Sequence, residues 1–304
     1  MTTVTENIGG TKLSVVIPTY QGARRILGLL RSLEQQSFRD FEVIVVIDGS
    51  TDNTETVIRD AKLTLSLRLI VQPNKGRAGA RNAGVKETHT CAVVFFDDDV
   101  IVSHDVLYHY YRYYQQGEKL VVGGVYSVQE SRNEFFHYFE YLDAKWSANL
   151  NGNTAGYMKS PYMSTQNAFV QKKIFYEVGG FDEGLRDAED FDLAVKLFEK
   201  GHTLYFDPTL RVGHLLQQSM QVYVRRLNQY KEAYCVLRVR NPAVRKYITE
   251  TPWQGNLLKK MIYRFFAFPF YIRWADAGVF TFLPVKIRYR FYDVIVTANS
   301  TDFV

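Results

Sequence analysis

Residues 91–100 read CAVVFFDDDV, an apolar run that ends in three consecutive aspartates. The length and composition of the run predict a buried β-strand. Two carboxylates about 5 Å apart repel each other by roughly 3 kcal/mol at an effective dielectric constant near 20. The end of this strand therefore needs a compensating charge, and a divalent cation that also binds phosphate is the first candidate.

Three further apolar runs precede this strand and alternate with predicted helices. They are LSVVI (13–17), FEVIVVI (41–47) and LRLIVQ (67–72). Near-continuous apolar strands that alternate with helices predict an α/β fold, with a mostly parallel, Rossmann-like sheet flanked by helices. Because ligands bind beyond the carboxyl ends of such strands, we expect Asp48, Asp52 and Asp97–Asp99 at one rim of the sheet.

The segment PNKGRAGARNAG (73–84) suits an anionic ligand. It places Lys75, Arg77 and Arg81 around the start of a predicted helix, where backbone N–H groups attract anions. It has neither the Walker pattern nor the GxGxxG fingerprint, which counts against ATPases and ordinary dehydrogenases. A loop of solvated basic residues is the alternative interpretation.

A second carboxylate cluster lies in AEDFD (188–192). On a helix, Glu189 and Asp192 share one face at a spacing of three residues, and Asp190 points elsewhere. Local sequence alone leaves two interpretations open. The cluster is either a functional pair of carboxylates or an acidic first turn that complements the helix dipole.

The composition limits the class of protein. A chain of 304 residues, 46% hydrophobic and 23% charged, is globular and long enough for one large domain with an appendage. Its two cysteines exclude a disulfide framework and a zinc cluster and favour a reducing compartment, and Cys91 is predicted as a core residue. The first residues lack a signal-peptide pattern and no apolar run is long enough to span a membrane. We therefore expect a cytoplasmic protein.

The C-terminal region is basic and aromatic. From Leu215 onward the chain has 14 Lys or Arg against 5 Asp or Glu. A helical subdomain over an acceptor cleft, amphipathic helices on a membrane surface, and nucleic-acid binding are the three interpretations. No nucleic-acid recognition motif is present, and Arg264, Arg273 and Asp276 interrupt the apolar stretch, which favours lying on a membrane over spanning it. We expect docking on the cytoplasmic leaflet.

Six segments in this order resemble the inverting family 2 glycosyltransferases of the GT-A fold. They are SVVIPTYQG, VIVVIDGSTDNT, NKGRAGARNAG, VVFFDDDV, NAFVQKKIFYEVGGFDE and EDFDLAVKLFEKG, between about residues 14 and 214. The resemblance implies transfer of a sugar from a nucleotide diphosphate sugar, usually a UDP-sugar, to a hydroxyl acceptor. A polysaccharide or a lipid-linked glycan is the expected acceptor, and Mn²⁺ or Mg²⁺ the expected cofactor.

The resemblance also divides the chain. We predict a flexible terminus at residues 1–12 and a GT-A domain at 13–214, with a nucleotide-binding half at 13–100 and an acceptor half at 101–214. A C-terminal helical extension follows at 215–304. The aromatic segment EFFHYFEYLDAKW (134–146) is predicted to pack as a helix on the main domain, with sugar or lipid stacking as the alternative.

Roles at the donor follow from the resemblance, residue by residue. The residues implied are Pro18, Thr19 and Tyr20 near the nucleotide base, Asp48 at the imide of uracil or thymine, Arg81 near the nucleotide, and Asp97 with Asp98 near the ribose.

Metal and catalytic roles follow in the same way. The resemblance implies Asp99, with Asp97, as metal ligands and Asp190, with Glu189 beside it, as the catalytic base. His214 matches a late histidine that binds the metal in some GT-A enzymes, and a loop or core histidine is the alternative. The extra aspartate in DDD leaves the register of the metal motif open.

Two other functions stay open. A sugar nucleotidyltransferase would carry a glycine-rich loop of the G-x-G-T-R type after the first strand, where PTYQGARR (18–25) is found instead. A non-catalytic protein that binds sugar nucleotides or polysaccharide would have a degenerate site, against which the four carboxylates Asp48, Asp97, Asp99 and Asp190 argue.

Overall fold

The computed structural model describes residues 11–128, 134–149, 154–215, 219–248 and 256–301. The chain divides into two compact units, the first formed by Met1–Val128 and Leu150–Leu215 and the second by Gln129–Asn149 and Leu216–Val304. The predicted flexible terminus lies outside the described residues except at its end. There the backbone N–H of Lys12 donates to the carbonyl of Asp40 at 2.7 Å.

Nine strands in the described part of the first unit form one sheet. They are β1 (Leu13–Thr19), β2 (Phe41–Asp48), β3 (Leu67–Gln72), β4 (Ala92–Phe96), β5 (Val100–Val102), β6 (Leu120–Val128), β7 (Gly156–Tyr157), β8 (Asn167–Gln171) and β9 (Tyr205–Leu215). The order is β3-β2-β1-β4-β8-β6-β9-β5, and β7 pairs with β9. The predicted parallel arrangement holds for β3, β2, β1 and β4. Beyond β4 the sheet is mixed, because β8 runs antiparallel to both its neighbours and β5 antiparallel to β9.

Helices cover both faces of this sheet. They are α1 (Ile26–Glu34), α2 (Thr54–Asp60), α3 (Gly76–Lys86), α4 (Val106–Gln115), α6 (Lys172–Glu177) and α7 (Glu189–Glu199). Successive residues of β1 point to opposite faces. Val15 and Ile17 therefore pack in one core with α1 and α4, whereas Val16 packs in a second core with α3, α6 and α7.

A buried amide stabilises the centre of the sheet, where the pairing of β6 with β9 shifts register between Gly123 and Gly124. Asn167 donates through Nδ2 to the carbonyls of Gly124 and Leu210 at 2.9 and 2.7 Å. Its Oδ1 accepts from the Tyr110 hydroxyl at 2.6 Å. These bonds satisfy backbone groups that the bulge leaves unpaired.

Cys91 is exposed, so its prediction as a core residue is wrong. The strand β4 begins one residue later, at Ala92, and all five of its residues are buried. Cys91 lies in the turn before the strand, where its carbonyl accepts from the backbone N–H of Lys172 at 2.8 Å.

The second unit is helical. Its helices are α5 (Glu134–Asn149), α8 (Met220–Arg240), α9 (Leu257–Phe266), α10 (Pro269–Asp276) and α11 (Val285–Ser300), with short 3-10 helices at Pro242–Lys246 and Val279–Phe282. The helix α5 was predicted as part of the 101–214 half. Instead Phe135 and Tyr138 share a core with Val224, Tyr271 and Tyr292, and α5 belongs to the second unit.

Polar contacts within the second unit tie its two stretches of chain together. The Tyr138 hydroxyl donates to Asp293 at 2.5 Å, and Arg288 pairs with Glu134 at 2.7 Å. No helix among the residues described above is both long and apolar enough to cross a membrane.

Candidate functional site

The carboxyl ends of β1, β2 and β4 open into one pocket of about 230 Å³, to which α3 also contributes. The lining consists of Pro18, Thr19, Tyr20, Arg25, Asp48, Asn74, Arg77, Ala80, Arg81 and Asp97–Asp99. Every residue predicted at the donor is in this lining, together with Asp99. The predicted residues Glu189, Asp190 and His214 do not line the pocket itself.

Asp48 ends β2 and is fixed by the loop that leads into α3. Its Oδ1 accepts from Gln72 Nε2 at 2.8 Å and from the backbone N–H of Lys75 at 2.9 Å. The side chain of Asn74 donates to its carbonyl at 2.9 Å. Gly49 follows at φ +72°, where a Cβ would lie 2.7 Å from the backbone nitrogen of Asn74. A glycine is therefore required for the two loops to approach, which holds the carboxylate rigidly at the pocket.

The middle aspartate of DDD faces the loop after β1. Asp98 accepts from Thr19 Oγ1 at 2.5 Å and from Arg25 Nε at 2.7 Å. Burial raises the pKa of Asp98, although Arg25 and Thr19 oppose the rise. Gly22 lets the loop close over this contact, since a Cβ there would lie 2.0 Å from Thr19 Oγ1. Both carboxylate oxygens of Asp98 therefore have partners within the protein.

Arg81 joins the first aspartate of DDD to the start of α7. Its guanidinium, 1% exposed, donates to Glu189 Oε1 at 2.5 Å and to Asp97 Oδ1 at 2.6 Å. Burial alone would raise the pKa of Asp97, but Arg81 and the more distant Arg77 hold it below its ordinary value. The two carboxylate clusters of the sequence are therefore joined by one buried guanidinium group, that of Arg81.

The last aspartate of DDD lies beside His214. Val100 of β5 pairs with His214 of β9, which brings His214 Nε2 to 3.3 Å from Asp99 Oδ2. Gln166 Nε2 lies 3.1 Å from His214 Nδ1. The other oxygen, Asp99 Oδ1, is buried and has no hydrogen-bond partner. The unpartnered carboxylate oxygen is a ligand that Mn²⁺ and Mg²⁺ both accept, and the adjacent imidazole suits Mn²⁺ better than Mg²⁺.

The described residues do not form a complete set of protein ligands for a metal ion. Within the described ranges no group of three or more His, Cys, Asp or Glu side chains is arranged to hold an ion. Asp97 is engaged by Arg81, which leaves Asp99 and His214 as the pair that fits an ion. Magnesium-type sites often take only one or two protein ligands and complete their shell with phosphate and water.

Asp190 is the second residue of α7, which begins after an unusual backbone conformation. Ala188, the residue that caps the helix, has a left-handed φ of +63°. Burial and then the adjacent charge of Glu189 raise the pKa of Asp190 to about 7, against the opposing effect of Arg81. A carboxyl group with a pKa near neutrality can exchange a proton at physiological pH, as a general base must.

The sequence matches a known family over most of this site. Residues 14–181, more than half of the chain, match the sequence profile described as Glycosyl transferase family 2. The chain belongs to this family. The match ends before Glu189, Asp190 and His214, so the roles of these three residues in the family 2 chain stay predictions.

Individual relatives are distant and longer. The chain is 28% identical over 237 residues to the pre-mycofactocin glycosyltransferase of Mycobacterium tuberculosis, across 76% of this chain and 48% of the relative. It is 26% identical over 241 residues to the uncharacterized glycosyltransferase YfnE of Bacillus subtilis, across 63% of this chain and 62% of the relative. The family 2 chain thus spans about half to three fifths of these two proteins.

Solved structures share the fold. The mannosyltransferase PcManGT from Pyrobaculum calidifontis, in complex with GDP-Man and Mn²⁺, has a TM-score of 0.64 at 18% identity, across 97% of this chain and 86% of that one. TarS 1–349 of S. aureus in complex with UDP has a TM-score of 0.56 at 18% identity, across 95% and 90%. These likenesses confirm the predicted GT-A fold of this family 2 member.

Several residues around the pocket of the family 2 chain were not predicted individually. Arg25 and Asn74 line it, and Gln166 contacts His214. Arg77 also lines it, and was predicted only as part of a basic loop. Little in the sequence indicated this role for Arg25, because nothing in PTYQGARR distinguishes it from Arg24 or relates it to Asp98.

Proposed function

We propose that this chain is a metal-dependent, inverting glycosyltransferase that moves a sugar from a nucleotide diphosphate sugar to an acceptor hydroxyl group. One observation carries the proposal, namely that Arg81 donates to both Asp97 and Glu189, at 2.6 and 2.5 Å. The acidic rim of the sheet and the start of α7 are therefore neighbours, and Asp190 would lie near a donor bound at the rim without contributing to its binding. Family membership supports sugar transfer as the reaction.

The proposed donor is a UDP-sugar whose base binds at the Pro18, Tyr20 and Asp48 side of the pocket. A carboxylate offers about four acceptor positions, so the two internal donors on Asp48 leave capacity for the imide N–H of uracil. TarS binds UDP and PcManGT binds GDP-Man, which supports a nucleotide diphosphate donor in general. Asp97 would face the ribose or the ion with the oxygen that Arg81 does not hold.

The proposed ion is Mn²⁺ or Mg²⁺, held by Asp99 and His214. Support comes from the unpartnered Asp99 Oδ1 and from the Mn²⁺ in the PcManGT complex. Such an ion neutralises negative charge on a departing diphosphate. Gln166, at 3.1 Å from the imidazole, would orient His214 toward the ion.

The proposed transfer is a single displacement. Asp190 takes the proton of the acceptor hydroxyl while the acceptor oxygen bonds to the anomeric carbon. The bond from that carbon to the diphosphate oxygen breaks, and its electron pair leaves with the diphosphate. Attack from the opposite face inverts the anomeric centre, so an α-linked donor gives a β-linked product. A positioned base of this kind contributes about 10²- to 10⁴-fold to the rate.

The proposed acceptor is a polysaccharide or a lipid-linked glycan, at the cytoplasmic face of the cell membrane. The support is the excess of basic residues after Leu215, 14 Lys or Arg against 5 Asp or Glu, which suits an anionic membrane nearby. This location, like the acceptor, stays a proposal.

Asp190→Asn tests the base. We expect the variant to lose at least about a hundredfold of sugar transfer, because asparagine cannot take the proton. The measurement is transfer of radiolabelled sugar from the donor that gives the largest thermal stabilisation in a panel of nucleotide diphosphate sugars with Mn²⁺. Donor binding should stay unchanged, since Asp190 is outside the pocket lining.

Asp60→Asn is the matched control, because Asp60 is exposed at the end of α2. It should transfer sugar like the unmodified chain. Undiminished transfer by Asp190→Asn would exclude this residue as the base. Donor binding without transfer to any acceptor would favour a non-catalytic binding protein, and release of pyrophosphate from a nucleoside triphosphate and a sugar phosphate would favour a nucleotidyltransferase.

A further inference from the structure

The helix α9 turns its apolar side to solvent. Five of its ten residues are large, apolar and between 42% and 75% exposed: Leu257, Leu258, Met261, Ile262 and Phe265. At 100° per residue they fall within an arc of about 140° around the helix. No residue of α9 is buried. Nothing among the described residues covers this face.

The opposite side of α9 faces the rest of the second unit. Phe266 contacts Tyr271 and Phe291 there, with ring centroids 4.8 and 4.9 Å apart. Lys259, Lys260 and Arg264 flank the apolar arc, within about 60° of its edges at 100° per residue. A surface helix of a globular protein normally buries its apolar stripe. In α9 the stripe is the outer face, so its apolar character is not explained by the core of the unit.

The segments that follow α9 continue this exposure. Six more large apolar side chains between residues 268 and 287 are 46% to 76% exposed, namely Phe268, Trp274, Val279, Phe282, Val285 and Ile287. Trp274 is among them, and Trp is the residue type that prefers the boundary between lipid and water. We call α9 together with these side chains the α9 surface.

The same stretch is basic, as is α8 before it. Residues 256–301 contain seven Lys or Arg and two Asp, a net charge of +5, which equals the net charge of all 304 residues. Both aspartates are used internally. Asp276 accepts from the backbone N–H of Met220 at 2.6 Å, and Asp293 accepts from Tyr138. Arg288 is buried and paired with Glu134, and the other six basic side chains are exposed or half-buried. The surface of this stretch therefore presents both positive charge and apolar side chains to solvent.

We propose that the α9 surface docks on an anionic phospholipid bilayer, with the apolar side chains of α9 inserted at the level of the headgroups and Lys259, Lys260 and Arg264 paired with lipid phosphates. Exposed apolar side chains beside basic ones are what an interfacial helix needs. A nucleic acid would pair with the basic side chains but leave the apolar face of α9 exposed to water. A second copy of the chain would set like charges against each other.

Vesicle sedimentation with the full chain tests the proposal. We expect binding to vesicles with about 30% phosphatidylglycerol, weaker binding as salt rises, and little binding to pure phosphatidylcholine. The variant Met261→Glu with Phe265→Glu should bind the anionic vesicles at least about tenfold more weakly, because two carboxylates would enter the lipid boundary.

The matched control is Val236→Glu with Val239→Glu in α8, whose side chains are 48% and 77% exposed and lie outside the α9 surface. It should bind within about twofold of the unmodified chain, so a general effect of added negative charge would be visible. Circular dichroism melting checks that both variants are folded.

Two results would overturn the proposal. One is equal vesicle binding by the α9 variant and the unmodified chain. The other is absence of vesicle binding together with a dimer, in sedimentation velocity, that the α9 variant converts to a monomer. The second result would assign the α9 surface to contact between copies. Neither result depends on sugar transfer, so the proposed function is tested separately.

Discussion

Asp190 and Asp97 differ in the direction in which the protein shifts their pKa values. Asp97 shares Arg81 with Glu189 and its pKa is held low, whereas burial and Glu189 raise the pKa of Asp190 to about 7. Two neighbouring carboxyl groups with pKa values pushed apart are the usual sign of divided roles. The one with the raised pKa can act as base, and the one with the lowered pKa stays charged.

The raised pKa of Asp190 predicts how transfer depends on pH. A base acts only when it is deprotonated, so kcat/KM, which reports groups of the free enzyme, should rise with pH through about 7. Between pH 8 and pH 6 we expect a loss of about tenfold, because the deprotonated fraction falls by that factor. Initial rates over this range at donor concentrations below KM are the measurement, and a flat profile in a protein that stays folded would contradict the prediction.

Arg81 should be needed for stability as well as for geometry. Arg81→Ala leaves Asp97 and Glu189 close together without their cation, and removal of one partner from a buried pair costs about 3–5 kcal/mol. Urea unfolding measures the loss. Arg81→Lys keeps the charge but has no planar fork to bridge two carboxylates, so it should recover only part of it.

Arg77→Ala is the control for that experiment. Arg77 pairs with Asp187 at 2.8 Å but is 51% exposed, and exposed pairs contribute about 0–1 kcal/mol. An equal loss of stability in Arg81→Ala and Arg77→Ala would mean that the buried ion pairs of Arg81 contribute no more than the exposed pair of Arg77.

Two glycines in and after the loop between β1 and α1 provide a test and its control. Gly22→Ala would put a Cβ 2.0 Å from Thr19 Oγ1 and 2.7 Å from Asp98 Oδ2, so the loop must shift. We expect a loss of about 1–3 kcal/mol of stability and weaker donor binding, since Thr19 and Asp98 line the pocket.

Gly28→Ala lies six residues later, inside α1. Its Cβ would be 3.9 Å from Leu215 Cδ1, an ordinary contact, and alanine in a helix interior is more favourable than glycine by about 0.5–1 kcal/mol. This variant should be unchanged or stabilised. Thermal unfolding and UDP titration of both variants decide the point, and a harmless Gly22→Ala would show that the loop has more room than its contacts indicate.

Elements with strong local signals were predictable from the sequence. The run FEVIVVI gave a strand whose eight residues are all buried, and the spacing of Ile26, Leu29, Leu30 and Leu33 gave the buried face of α1. The rim of aspartates followed from the rule that parallel strands expose their carboxyl ends together.

Features that depend on distant pairing were not predictable. Three adjacent aspartates look alike in a sequence, and only the fold sends Asp98 to Arg25, Asp97 to Arg81 and Asp99 to His214. The membership of α5 in the second unit depends in the same way on helices more than 70 residues further along the chain.

At the scale of the whole molecule, donor and metal should stabilise the chain together. A ligand that binds only the folded state at a hundredfold excess over its Kd adds about 2.7 kcal/mol to the free energy of unfolding. We expect UDP with Mn²⁺ to raise the Tm, and EDTA to remove most of that rise. Asp99→Asn should lose the metal-dependent part, whereas Asp60→Asn should keep it, and an equal rise in EDTA would argue against a metal.

The discontinuity of the second unit has a consequence for how the protein is made. The helix α5 is complete at Asn149, but α11, which supplies Tyr292 to the same core, ends at Ser300. At usual translation rates of about 5–20 residues per second, the ribosome needs about 8–30 s to cover that interval. During this time the core around α5 is incomplete, because Tyr223 of α8 and then Tyr292 of α11 have yet to be synthesised, so newly made chains should depend on chaperones that shield aromatic surfaces until α11 is made.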